Sequence, residues 1–99
     1  MADVTMVRIY WREGKGSLQA MLERLHEEER VRGVTVFRGV AGYGGSGRLH
    51  TNTLVDLSLE LPLVIEFFDT PERAAKIIDD LHDTIGPGHI VSWPAQVND

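Results

Sequence analysis

The sequence predicts an α+β fold: a ferredoxin-like β-α-β-β-α-β sandwich whose four-stranded antiparallel sheet carries two helices on one face. Three observations carry that prediction. β-rich runs and runs of helical period alternate as β-α-β, a glycine-rich interval, then β-α-β again. Both helical runs open on a capping signal, Ser17 in one and Thr70-Pro71-Glu72 in the other. A chain of 99 residues, 42% of them hydrophobic, fills one packed domain and is too short for two cores, so residues 1–99 are read as a single unit.

Val4 to Trp11 is rich in β-branched and aromatic residues, with Val7, Ile9 and Trp11 on one face. Residues 12–16 (REGKG) break that run. After Ser17, the spacing of Leu18, Met21, Leu22 and Leu25 predicts a helix that continues through His26 and Arg30 and stops at Gly33 in a left-handed residue. Val34 to Arg38 is the second strand and Leu59 to Phe68 the third. Pro71 opens the second helix, whose buried stripe is Ala74, Ala75, Ile77, Ile78 and Leu81. Gly86-Pro87-Gly88 ends it, His89 to Trp93 is the fourth strand, and Pro94 closes that run. The strands do not alternate cleanly: Phe67 and Phe68 are adjacent, and Met6 and Tyr10 lie opposite Val7 and Ile9. Two helices cover only one sheet face, so the other face needs a partner, and another subunit is the simplest one.

Composition excludes several functions. Net charge is −5, and the arginines are interspersed with acids, which argues against nucleic acid. Without cysteine there is no disulfide, thiolate nucleophile or thiolate metal site. No apolar run is long enough to insert in a membrane, and the N-terminus lacks a secretion signal, so the expected location is cytoplasmic. His26, His50, His82 and His89 show no metal-binding spacing, and no metal is expected. Ser17, Ser46, Ser58 and Ser92 have no local base arrangement, so no catalytic residue is assigned. The cluster Asp79, Asp80 and Asp83 reads as a solvated helix face.

Residues 39–52 (GVAGYGGSGRLHTN) hold five glycines between Gly39 and Gly47, and Gly42 to Gly47 spells G-x-G-x-x-G. A dinucleotide fingerprint needs a helix directly after the third glycine, and none follows. A Walker A loop needs Lys-Ser/Thr where this chain has Arg48-Leu49. What remains is a mobile connection or a cradle of backbone N–H donors, with Arg38 and Arg48 as guanidinium contacts to an anion. The second glycine turn, Gly86 to His89, precedes the last strand. The second and fourth strands are opposite edges of this sheet, so one chain keeps its two glycine turns apart, whereas neighbouring chains can bring them together.

The order Gly33-Val-Thr-Val36, Gly42-Tyr-Gly44, a polar loop, a strand ending Val-Ile-Glu-Phe67, a helix, and Ile85-Gly-Pro-Gly-His-Ile90 resembles the PII signalling proteins over residues 4 to 93. It is most similar to the PII-like group known as domain of unknown function 190. The resemblance implies a homotrimer with inward-facing sheets, an adenine nucleotide effector bound between subunits, and an effector loop that docks on a target protein. Gly42 and Gly44 match the base of that loop, which would span residues 43–56 and be mobile. Gly86, Gly88 and His89 match the phosphate-facing turn, making Arg38, Gly42, Gly44, Arg48, Gly86, Gly88 and His89 the expected ligand site. Pro87 and His89 stand where the family's usual aspartate and lysine would be, and the paired C-terminal arginines are missing. So few cations favour AMP, ADP or cyclic AMP over ATP. Gene neighbourhoods of the family suggest a membrane transporter or channel as the target. The alternative is a small oligomeric α/β-barrel enzyme with its site under the glycine loop.

Overall fold

The computed structural model describes residues 1–11, 17–42, 50, 51 and 62–99. Its elements are β1 (Ala2–Trp11), α1 (Leu18–Glu23), β2 (Thr35–Arg38), β3 (Ala41–Gly42), β4 (His50–Thr51), β5 (Leu63–Asp69), α2 (Pro71–Ile85) and β6 (Ile90–Val97). Four strands form one antiparallel sheet in the order β2-β5-β1-β6, and β3 pairs with β4 separately. This is the ferredoxin-like sandwich, with sequence-adjacent β-α-β units interleaved so that β2 and β6 are the edges.

The core lies between the sheet and the helices. The β1–β5 register sets Val7 against Phe67, Ile9 against Ile65 and Trp11 against Leu63, and all six are buried. Met21 and Leu25 from the first helical segment, with Ala74, Ile77, Leu81 and Ile85 from α2, complete the cluster. Thr70 caps α2 by accepting from the Arg73 N–H at 3.3 Å, and Pro71 occupies the first helical position, where no N–H is needed. Ala75, expected in the buried stripe, is exposed; Ile85 takes the fourth place in the stripe instead.

The first helix begins as expected, with Ser17 Oγ accepting from the Ala20 N–H at 3.2 Å. It ends differently. After Glu23 the chain widens into a π-type turn, Arg24–Glu28, in which the Glu29 N–H donates to the Arg24 carbonyl at 3.0 Å. Arg30, not Gly33, then adopts the left-handed conformation at φ 60°. The cause is Val31. Its N–H donates to the Leu25 carbonyl at 3.0 Å, and its side chain enters the core beside Leu25. The bond reaches six residues back, one further than in the common helix-ending motif, because the π-type turn has already widened the chain. An apolar residue follows the left-handed one, as is usual in that motif. Burial of Val31 decides the stop, and the freedom of glycine does not.

Arg24 ties the helices together, donating to Thr84 Oγ1 at 2.8 Å and to the Asp80 carbonyl at 2.9 Å. Arg73 donates to Asp69 Oδ2 at 3.0 Å and to the Glu29 carbonyl at 2.6 Å. The last strand runs through Pro94 to Val97 and does not stop at the proline. An edge strand tolerates the missing N–H. The third long strand is described from Leu63; residues 59–61 lie outside the described residues.

Candidate functional site

At one end of the sheet the strand termini form a row from edge to edge. Arg38 closes β2 and pairs with Leu63, and Leu63 pairs with Trp11 at the end of β1. The Tyr10 N–H beside Trp11 donates to the His89 carbonyl at 2.8 Å, bringing in the turn before β6. Adjacent strands lie about 4.8 Å apart, so three spacings separate Arg38 from His89 by roughly 14 Å. Of the expected ligand residues, Arg38 therefore sits at one edge of the sheet and Gly86, Gly88 and His89 at the other. Gly44 and Arg48 lie outside the described residues, as do residues 43–49 and 52–56 of the expected loop.

The glycines fall into two kinds. Gly86 has φ 83° and ψ 171°, a conformation that is essentially glycine-only, and Gly88 has φ 84°. The intervening Pro87 helps, since the residue before a proline avoids the helical region. Space is not the constraint at Gly88: a Cβ there would meet nothing within 4 Å. Gly39 and Gly42 are different. Neither has positive φ, and what they accommodate is the Pro62 ring. A Cβ on Gly39 would lie 2.7 Å from Pro62 Cγ, and one on Gly42 3.1 Å from the same atom. The Gly39 N–H also donates to the Pro62 carbonyl at 2.7 Å. Gly42 is therefore not a glycine that a left-handed turn requires. At the loop base its small size serves packing on the start of β5.

Sequence reasoning missed two members of this end. Pro62 was visible as the proline of the L-P-L-V-I-E segment, but only the fold places it under two glycines. Trp11, expected on one strand face with Val7 and Ile9, is buried, and its indole Nε1 has no hydrogen-bond partner among the described residues. Arg38 is exposed and makes no ion pair with a described residue, and the side chain of His89 is half-buried. The site as described carries few positive charges, which limits how much phosphate it can neutralise.

The second feature is the sheet face away from the helices. Met6, Arg8 and Tyr10 of β1 align there with Phe68, Glu66 and Val64 of β5, and Phe37 of β2 lies across from Val64. Trp93 and Val91 of β6 flank Met6 and Arg8 on the other side. Tyr10, Phe37, Phe68 and Val91 are 45–52% exposed. An antiparallel sheet that faces water normally carries polar residues there. In the helix layer, burial pushes the Glu29 carboxyl above its usual range, and the charge of Asp80 adds to that rise. Asp80 is held low by its hydrogen bond from Lys76.

Residues 4–97 match the DUF190 family, described as "Uncharacterized ACR, COG1993". A UPF0166 protein of Aquifex aeolicus (strain VF5) is 35% identical over 69 residues, which span 70% of this chain and only 65% of that relative. A UPF0166 protein of Methanocaldococcus jannaschii is 30% identical over 89 residues, covering 86% of this chain and 82% of the relative. Among solved structures, CPII from Thiomonas intermedia K12, bound to ADP and bicarbonate, superposes with a TM-score of 0.71 over 98% of this chain and 90% of its own, at 14% identity. At that identity the likeness speaks for the fold. No helix among the described residues is long and apolar enough to cross a membrane.

Proposed function

The chain belongs to the DUF190 family and shares its fold with CPII, and from that premise we propose that it is a trimeric regulator which binds an adenine nucleotide between subunits and docks residues 43–56 on a target protein. The observation that carries the reading is that Arg38 and the turn of Gly86, Gly88 and His89 lie at opposite edges of a sheet whose open face is apolar. Packing three such faces together removes the exposed aromatics from water and sets the β2 edge of one copy beside the β6 edge of the next. Arg38, Gly42, Gly44 and Arg48 then come from one subunit, and Gly86, Gly88 and His89 from its neighbour. ADP bound to CPII supports an adenine nucleotide as the ligand class. With so few cations on offer, AMP, ADP and cyclic AMP are favoured over ATP. In this reading the protein acts in the cytoplasm without catalysing a reaction, and its target is a membrane transporter or channel.

A thermal-shift screen of adenine and guanine nucleotides, run beside light scattering, tests this. The expected result is a trimer whose melting temperature rises with AMP, ADP or cyclic AMP, without turnover of the nucleotide. No stabilisation by any adenine nucleotide would refute the ligand assignment.

A further inference from the structure

Arg8 and Glu66 face each other on neighbouring strands of the open sheet face. Arg8 donates from Nε at 2.9 Å and from a terminal nitrogen at 2.7 Å, both to Glu66 Oε2. Its guanidinium also lies 5.2 Å from the centroid of the Trp93 ring, and Tyr10 stands two residues on along the same face of the strand. The other carboxylate oxygen, Oε1, accepts no hydrogen bond from a described residue. The two side chains are 38% and 19% exposed, and around them stand the half-exposed Tyr10, Phe37, Phe68 and Val91. The centre of this face thus holds both signs of charge, a carboxylate oxygen that no described residue fills, and an apolar surround.

We propose that the Arg8–Glu66 pair fixes the orientation in which copies of this chain pack their sheet faces together, Glu66 Oε1 of one copy accepting from Arg8 or Tyr10 of another. This rests on the reading that the face is covered by further copies. Apolar contact alone is non-directional, and many orientations of two such faces bury similar area. A carboxylate withdrawn from water with an empty acceptor is costly, so the orientations that leave Oε1 unpaired are disfavoured. A single polar residue in an apolar seam selects register and copy number in coiled coils by the same logic.

Arg8→Met, Glu66→Leu and the double variant test the role, with sedimentation equilibrium for assembly and far-UV circular dichroism for the fold. Either single substitution leaves one charge unpaired at the interface and is expected to raise the dissociation constant about a hundredfold or more. The double variant is expected to associate at least as tightly as the wild type but as a mixture of sizes, because nothing then selects the orientation. Singles that assemble like the wild type would overturn the proposal. If the singles do not fold, the double variant decides alone: one species identical to the wild-type assembly overturns it. A wild-type chain that is monomeric would instead remove the sheet-face reading itself, and the role of the pair with it.

Discussion

Replacing Gly39 with alanine should strain the base of the glycine-rich segment. The new Cβ would stand 2.7 Å from Pro62 Cγ and 3.5 Å from Pro62 Cβ, where carbon atoms prefer about 3.5–4.0 Å. The Pro62 ring cannot rotate away, and the 2.7 Å bond from the Gly39 N–H to the Pro62 carbonyl holds the two backbones together. Relief requires moving the start of β5 or breaking that bond. Overpacking of this kind costs about 1–3 kcal/mol. Alanine returns about 0.4–1 kcal/mol through the unfolded chain. The net loss should be about 1–2 kcal/mol, a fall in melting temperature of roughly 4–16 °C for a domain of this size. Gly42→Ala, with its 3.1 Å approach, should cost less. Pro62→Ala removes the offending Cγ, so Gly39→Ala should cost little in that background. Chemical denaturation of the four proteins gives the coupling energy directly. A Gly39→Ala protein as stable as the wild type, or costs that simply add, would refute the packing argument.

Three further outcomes follow from the geometry. Gly88→Asn keeps a residue that tolerates positive φ, whereas Gly88→Val does not, so by thermal melts the valine variant should lose about 1–2 kcal/mol more; both should weaken ADP binding in calorimetry if close backbone approach is what matters. Arg30→Gly relieves the φ of 60° and should raise stability by about 0.5–1 kcal/mol, seen as an upward shift in melting temperature. Glu29 has its carboxyl raised above 4.5 by burial, so the folded state holds that proton more tightly than the unfolded one. Its contribution is full below pH 4.5 and is lost as pH rises through the folded value. Glu29→Gln should therefore be more stable than the wild type at pH 7 and not at pH 4, as read from denaturant melts at each pH.

The succession of strands and helices, both N-caps and the doubly apolar strands were legible in the sequence because each depends on residues close together in the chain. The two adjacent phenylalanines show this: Phe67 is in the core and Phe68 is about half exposed on the open face. The helix stop at Arg30 was not legible, because it is set by where Val31 finds the core and not by the nearest glycine. Nor was the role of Pro62, which lies some twenty residues from the glycines it packs on. The glycine turn before β6 was legible as a turn, and its two positive φ values supply the reason for both glycines independently of any ligand. Of the expected ligand residues, Arg38, Gly42, Gly86, Gly88 and His89 fall among the described residues, at the two edges of the sheet.

The most direct test of the central claim is a calorimetric titration of AMP, ADP, ATP and cyclic AMP into the protein, with its molar mass followed by light scattering. The account predicts a trimer that takes up one nucleotide per subunit, binds AMP, ADP or cyclic AMP more tightly than ATP, and loses that binding when Arg38 is replaced by alanine. No heat with any of the four nucleotides, or heat from a monomer that is indifferent to Arg38, would contradict it.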